Sequence, residues 1–378
     1  RDYIVRSELL PRTATRKIKR FELQKEIESG KLQKSQTRDE KVWTLSDEDN
    51  LTLATPAGKA LISAIKQNKP DTELIHPEMN MEIDLGLDSL ARAETLASLE
   101  QVFNVEFDSE EATQALKVSE VVKLVEKTAN LENFSGKLET NFNWGKIVRE
   151  ADDKFPEVEG VLQNRPLFAV FAFCVLRIFY FACKIFLRLE VKGIENLTKL
   201  KKPFIICPNH QSFLDGFIVP ATYPYSILKD IFHVGASEFF RSRLMRLFAK
   251  LTNIVPIDPD TQLLKAMKAG AIGLRNGKIL NIYPEGERAF DGELHPFKKG
   301  AAILSTELNV PIVPVALDGL HKVWARGSNK IRFEKVKIHF GKPVYFEECK
   351  GLNDEEKYAQ ATEKLKVTIK EMLEEMRK

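Results

Sequence analysis

Apolar residues recur at helical spacing in three places within the first 130 residues. They are Leu61, Ile62 and Ile65 within 56–68, then Leu90, Ala93, Leu96, Ala97, Leu99 and Phe103 from Ser89 onward, and Val121, Val122, Leu124 and Val125 between Ser119 and Lys127. This period predicts three amphipathic helices, near enough in sequence to close into a small all-α bundle. Further along, short β-branched runs (Phe204 to Cys207, Ile279 to Tyr283, Ile312 to Leu317, Val336 to Phe340) alternate with helical stretches such as Gln262 to Leu274. Alternation of that kind predicts an α/β domain, helices on both faces of a mostly parallel sheet.

Two polar stretches interrupt the periodicity, at 31–49 and at 131–153, the latter rich in Asn and Gly (Asn130, Asn133, Gly136, Asn141, Asn143, Gly145). They divide the chain into a basic head at 1–30, a helical module at 50–130, a linker at 131–153 and a larger domain at 154–378. A flexible linker of about 23 residues spans roughly 25 Å, so the module is expected to swing and reach its neighbour repeatedly. No internal repeat is present. The most apolar stretch, Leu167 to Leu189, is dense in Phe but broken by Arg177, Lys184 and Arg188. It reads either as a helix lying in one membrane leaflet with its cations snorkelling outward, or as a buried core helix.

Composition narrows the classes. With 43% hydrophobic and 29% charged residues over 378 positions, the chain is neither disordered nor collagenous and is long enough for two or three domains. Its four cysteines (Cys174, Cys183, Cys207, Cys349) show no CxxC spacing, so no zinc site, no other metal and no disulfide framework are expected, and a reducing, cytoplasmic side fits. The chain opens on Arg1 without Met or signal peptide, which leads us to expect a piece of a longer polypeptide. The net charge of +3 conceals two opposed blocks. Residues 71–130 hold fourteen acidic against four basic side chains, and residues 166–378 hold thirty-three basic against twenty-three acidic. The basic block suits anionic lipid, phosphate or the acidic module itself, and no nucleic acid is expected as a partner.

Within the helical module, Asp84-Leu85-Gly86-Leu87-Asp88-Ser89-Leu90 puts a serine at a helix start behind an acid and a glycine turn. Such a serine can be simply an N-cap. The whole run, however, matches D-x-G-x-D-S-L, and with its acidic three-helix setting the module resembles acyl carrier proteins over nearly its whole length. That resemblance implies a 4′-phosphopantetheine on Ser89, attached by a phosphopantetheinyl transferase and holding an acyl group as a thioester. It also implies that Glu82, Asp84, Asp88, Glu94 and Glu100 form the negative face that basic partners read.

In the larger domain, Asn209-His210-Gln211-Ser212-Phe213-Leu214-Asp215 follows directly on a predicted strand. A carboxylate five positions after the histidine can fold back on the imidazole, and an imidazole so oriented is a general base for an alcohol. Ser212 is the competing nucleophile. Tyr283-Pro284-Glu285-Gly286-Glu287-Arg288 follows a second strand, and a guanidinium beside a glycine turn suits anion binding. Together with Phe297-Lys298-Lys299-Gly300 and Val310-Pro311-Ile312-Val313-Pro314, these blocks resemble those of glycerolipid acyltransferases over roughly 166–350. The resemblance implies His210 as base, Asp215 as its orienting partner, and Glu285, Gly286 and Arg288 as the acceptor-binding group. Backbone N–H groups near Gly286 or Gly300 are candidate oxyanion donors. The chain departs from the family pattern at Glu287, where Thr is common, at Ser237, where Lys is common, and at Pro259, where Arg is common. Arg241, Arg243, Arg246, Lys298 and Lys299 are alternative cations.

The head, Leu10-Pro11-Arg12-Thr13-Ala14-Thr15-Arg16-Lys17-Ile18-Lys19-Arg20, is similar to the last motif of AMP-forming acyl-adenylating enzymes, L-P-R-T-x-T-G-K-I-x-R, with Arg16 in place of Gly. It implies an upstream acyl-adenylating domain as a partner. The expectation is thus an all-α carrier bundle followed by an αβα acyltransferase domain at the inner membrane surface. It would move a fatty acyl group from a carrier or coenzyme A thioester to glycerol 3-phosphate, a lysophospholipid or a related hydroxyl. Two other readings stay open: a non-catalytic, membrane-tethered carrier scaffold, and a thioester hydrolase using Ser212 or water.

Overall fold

Residues 43–129, 142–151, 158–159, 162–163, 166–235, 243, 253–257, 262–289, 291–324, 331–349 and 351–378 are described in the computed structural model of the chain. Two compact units form, Arg1–Asp49 and Asn50–Lys378. The basic head, Ser237, Arg241, Arg246, Asp258 and Pro259 lie outside the described residues, as do Asn130, Asn133, Gly136 and Asn141.

In the second unit the helical module comes first. Helix α1 (Pro56–Asn68) begins where Thr55 accepts the N–H of Gly58 at 3.0 Å and Pro56 fills the first position, whose N–H would have no partner in any case. α1 packs on α2 (Ser89–Phe103) and α3 (Val118–Thr128), and Leu61, Ile65, Leu99, Val121 and Val125 are all fully buried. Two further short helices, Asp47–Ala54 and Ser109–Gln114, are mostly polar, so no apolar period announced them.

The larger domain is built on a seven-stranded sheet in the order β1-β7-β6-β2-β5-β3-β4, parallel throughout except for β6 against β7. The strands are β1 (Glu190–Lys192), β2 (Phe204–Pro208), β3 (Ile231–Gly235), β4 (Ile254–Pro256), β5 (Ile279–Asn281), β6 (Ile312–Asp318) and β7 (Lys337–Phe340). Central β2 is buried along its whole length, as a strand covered on both faces must be. Its side chains alternate between two cores. Ile205 and Cys207 join one with the helices α4 (Trp144–Arg149), α7 (Leu263–Arg275), α8 (Gly300–Leu308) and α9 (Asp354–Arg377). Phe204 and Ile206 join the other with α5 (Pro166–Phe186) and α6 (Asp215–Thr222). The αβα layering follows from that alternation.

α4 falls inside the span read from the sequence as linker. Trp144, Ile147 and Val148 are buried in the sheet domain's core, and the Arg275 guanidinium donates to the carbonyls of Arg149 and Ala151. Three apolar residues in a six-residue helix are too few to register as a period.

α5 also differs from one of its two readings. Of its 21 residues only Cys183 is buried, which excludes the core-helix alternative. Leu167, Phe171, Ile178 and Ile185 are 88%, 63%, 73% and 73% exposed, and the helix is long and apolar enough to cross a membrane. Nor does Arg177 snorkel outward. Its guanidinium donates to the Tyr223 carbonyl at 2.9 Å and lies over the Phe173 ring, which takes one of the three cations off the outward side and leaves Lys184 and Arg188 exposed.

Packing between sheet and helix is tight at Gly273 on α7, where a Cβ would stand 2.2 Å from Cζ of the fully buried Phe232. Gly273→Ala should therefore destabilise the domain by about 1–3 kcal/mol, the usual cost of overpacking. Urea unfolding followed by circular dichroism checks it, and an unchanged midpoint would show that the ring moves aside freely.

Candidate functional site

β2 delivers its next residues to the carboxyl end of the sheet. Asn209 locks that end to β6, accepting the Leu317 N–H at 2.6 Å and donating to the Leu317 carbonyl at 3.1 Å. His210 comes next, half-buried, with Nδ1 at 2.8 Å from Oδ2 of Asp215. Asp215 has no exposed surface, and the same oxygen accepts the N–H groups of Gln211 at 2.6 Å and Ser212 at 2.9 Å. A carboxylate held this way fixes the imidazole: Nδ1–H donates to Asp215, and Nε2 keeps the lone pair that can take a proton.

Three further contacts clamp the histidine. Tyr283 stacks on the imidazole with centroids 4.3 Å apart, and the His210 carbonyl accepts the Ala289 N–H at 2.8 Å. The His210 N–H donates to Oε1 of Glu285 at 2.7 Å, while Oε2 accepts the His295 N–H at 3.0 Å. Glu285 is 4% exposed, and burial pushes its carboxyl up against the lowering effect of those two bonds. Both oxygens therefore serve the backbone around His210, a bracketing arrangement that differs from the acceptor contact implied by resemblance. Gly286 has φ +72°, and a Cβ there would meet Lys298 Cε at 2.7 Å, so the turn needs glycine. Its N–H donates to the Tyr283 carbonyl at 3.1 Å, which removes it as an oxyanion donor.

Arg288 is half-buried, its guanidinium 5.8 Å from the Phe213 ring. It immediately precedes Ala289, the residue bonded to the His210 carbonyl, so the cation belongs to the same loop as the clamp. Ser212 is buried, and its hydroxyl donates to the Trp324 carbonyl at 3.1 Å and accepts the Leu214 N–H, which leaves it serving the turn. Asn209, Gln211 and Tyr283 are the residues whose roles motif reading missed. Gln211 ties Gly292 to Leu320, and a polar side chain on either side of the histidine was the only available signal.

The carrier motif has its own geometry. Leu85 and Leu87 are buried while Asp84, Gly86 and Asp88 face solvent, so two leucines pin the loop and leave the polar positions outside. Gly86 has φ +66°. The N-cap of α2 is Asp88, which accepts the Ala91 N–H at 2.8 Å, and Ser89 is the first helical residue. An exposed, rigid loop ending at the positive pole of a 15-residue helix fits a phosphodiester on Ser89. The expected acidic face is only partly presented. Glu82 pairs with Arg92 at 3.0 Å, Glu100 accepts the Phe107 N–H at 2.8 Å, and the Glu94 carboxylate accepts Trp144 Nε1–H. Among the described residues no group of three or more His, Cys, Asp or Glu side chains gathers to hold a metal.

Comparison with known proteins locates both motifs. Residues 188–318 match the acyltransferase family, and residues 60–125 match the phosphopantetheine attachment site family, which marks the bundle as a module bearing covalent 4′-phosphopantetheine. The chain is 30% identical to the 1-acyl-sn-glycerol-3-phosphate acyltransferase BAT2, chloroplastic, of Brassica napus over 174 residues, 45% of this chain and 49% of that protein. It is 26% identical to the 1-acyl-sn-glycerol-3-phosphate acyltransferase of Bacillus subtilis over 196 residues, 50% of this chain and 93% of that protein. Among solved structures, the 1-acyl-sn-glycerophosphate acyltransferase PlsC from Thermotoga maritima is similar at a TM-score of 0.44 and 22% identity, covering 54% of this chain and 80% of that one. The chain spans about half the length of the plant relatives it matches.

Proposed function

We propose that the chain is an O-acyltransferase of phospholipid synthesis or remodelling, with the 154–378 domain catalysing and the 50–130 bundle carrying the acyl group. The observation that carries this reading is the 2.8 Å contact between His210 Nδ1 and the fully buried Asp215, which leaves Nε2 as the proton acceptor. The 4′-phosphopantetheine on Ser89 supplies a thiol that holds the acyl group as a thioester. His210 takes the proton of the acceptor hydroxyl at Nε2 as that oxygen attacks the acyl carbonyl. As the C–S bond breaks, the imidazolium returns the proton to the departing sulfur, so the products are an ester and a free thiol. Glu285 and Asp215 keep the ring in place throughout. The Ser212 hydroxyl is engaged with Trp324, which speaks against Ser212 as nucleophile in the hydrolase alternative and leaves water as its nucleophile.

The acceptor is a lysophosphatidic acid or a related glycerol phosphate, with Arg288 reading its phosphate. Arg288→Ala should raise the half-saturating concentration of the acceptor far more than that of the donor, and Arg288→Lys should rescue only in part, because the bidentate fork is lost. Steady-state kinetics with lysophosphatidic acid and with an uncharged alcohol of equal chain length test this. Equal turnover of the two, with Arg288→Ala silent on both, would remove phosphate from the account. The outward apolar stripe of α5 supports a seat on the cytoplasmic face of a membrane, where such acceptors reside. A phosphopantetheinyl transferase installs the arm, and the motif at 10–20 supports an acyl-adenylating domain as the source of the acyl group.

A further inference from the structure

The bundle does not stand apart from the sheet domain. Leu90, the residue after Ser89, packs against the apolar core that α4, α7 and α8 share. About one turn on, the Glu94 carboxylate accepts Trp144 Nε1–H. At the far end of α2, Glu106 pairs with Lys265 of α7 at 2.7 Å, and Lys268 adds to the field that holds the Glu106 carboxyl below its ordinary range. Gln67 of α1 reaches the Phe142 carbonyl at 3.4 Å. The receiving surface is tied down by contacts of its own. Phe142 stands edge-on to Trp144 at 5.0 Å, Asn143 bonds Asp354 at 3.1 Å, and Arg149 pairs with the buried Glu307 at 2.5 Å.

This surface is continuous with the site. Lys299, whose charge acts on Glu94, follows Lys298, which lies against Gly286 and donates its N–H to the Pro284 carbonyl at 2.8 Å. The next residue, Glu285, holds the His210 backbone. The helix that starts at Ser89 thus rests on Trp144 of α4, and of the cations near it Lys299 adjoins the Lys298 that packs on the Gly286 turn. The contact joins polar pairs to the apolar Leu90, which suits a reversible attachment more than a permanent one.

We propose that this contact is the delivery state: α2 seats on α7 and on Trp144, and the acyl donor used at His210 is the chain's own carrier, acting in cis. The proposal rests on the transfer reading above. Trp144 is the latch and takes no part in the chemistry. Docking also responds to pH. Burial pushes the Glu94 carboxyl up to about 7, opposed by Trp144 and Lys299 and aided by Asp88 and Glu355. To the extent that the sheet domain supplies this burial, the docked state holds a proton that the undocked carboxylate releases at a lower value. Docking is strongest below that value, weakens as pH rises toward 7, and stays at its weakest above it. Glu94→Gln keeps an acceptor for Trp144 and should remove this dependence.

The test uses the intact chain. A carbodiimide, which joins paired amines and carboxylates directly, should link Lys265 to Glu106 within one monomer, with a yield unaffected by dilution and reduced in Trp144→Phe. In the same variant, transfer from loaded Ser89 should slow by up to about tenfold, the worth of one hydrogen bond, while transfer from added acyl-coenzyme A keeps its rate. Absence of the Lys265–Glu106 link, or equal slowing with both donors, overturns the proposal. A normal link with no transfer from either donor overturns the transfer reading and the delivery role with it, and leaves the contact standing.

Discussion

Purified His210→Ala protein transfers acyl groups about 10² to 10⁴ times more slowly than the parent chain, the contribution typical of a general base, while Ser89 still loads with acylated arm. The substitution removes Nε2 and leaves the rest of the frame: Asp215 keeps the N–H groups of Gln211 and Ser212, and Glu285 keeps that of residue 210. Loss of rate therefore reports the missing base, and unfolding is not required to explain it. Asp215→Asn separates orientation from base strength. The asparagine oxygen can keep the place of Oδ2 and its three donors, with the NH2 in the place of the partnerless Oδ1, so what is lost is the negative charge that stabilises the imidazolium as it forms. A large fall in kcat with the circular dichroism spectrum retained is expected. Single-turnover rates of acyl loss from the loaded chain provide the measurement, and a His210→Ala rate equal to the parent's would remove the base from the mechanism.

Ser89→Ala chain, co-expressed with a phosphopantetheinyl transferase, keeps its unmodified mass, whereas the parent gains one phosphopantetheine. The effect is all or none because the loop admits one attachment point. Leu85 and Leu87 are buried, Asp88 is occupied in capping α2, and Ser89 is the first helical residue. Ser98, on the same helix, is buried, and its hydroxyl donates to the Glu94 carbonyl at 2.8 Å, so it offers no substitute. Intact-protein mass spectrometry decides the matter. A mass increment that persists in Ser89→Ala would displace the attachment site.

Much of this was legible along the chain, for reasons that differ from place to place. α1 and α2 were readable because Leu61, Ile62 and Ile65, and Leu90 through Phe103, repeat at helical spacing, while the cap of α2 is Asp88, one residue before the serine offered as an N-cap. Strands β2 and β6 stood out because burial on both faces demands unbroken apolar runs. The His210–Asp215 pair was readable because five residues of chain close it. Elements without a local signature were not. β1 and β4 have three residues each, and α4 has six. The destination of a long polar side chain is set by its distant partner, which is why the Glu285 contacts to the His210 and His295 N–H groups, and the turn of Arg177 to Tyr223, had no signal along the chain. The same holds for Trp144, which lay in apparent linker and meets Glu94, 50 positions away.

The most direct test of the whole account is the intact mass of the loaded chain before and after lysophosphatidic acid is added, in the absence of coenzyme A. The account predicts that the acyl mass leaves Ser89, the phosphopantetheine mass stays, and a diacyl phosphatidic acid appears in equal amount. An acyl mass that persists on the carrier, or leaves only as free fatty acid, would contradict it.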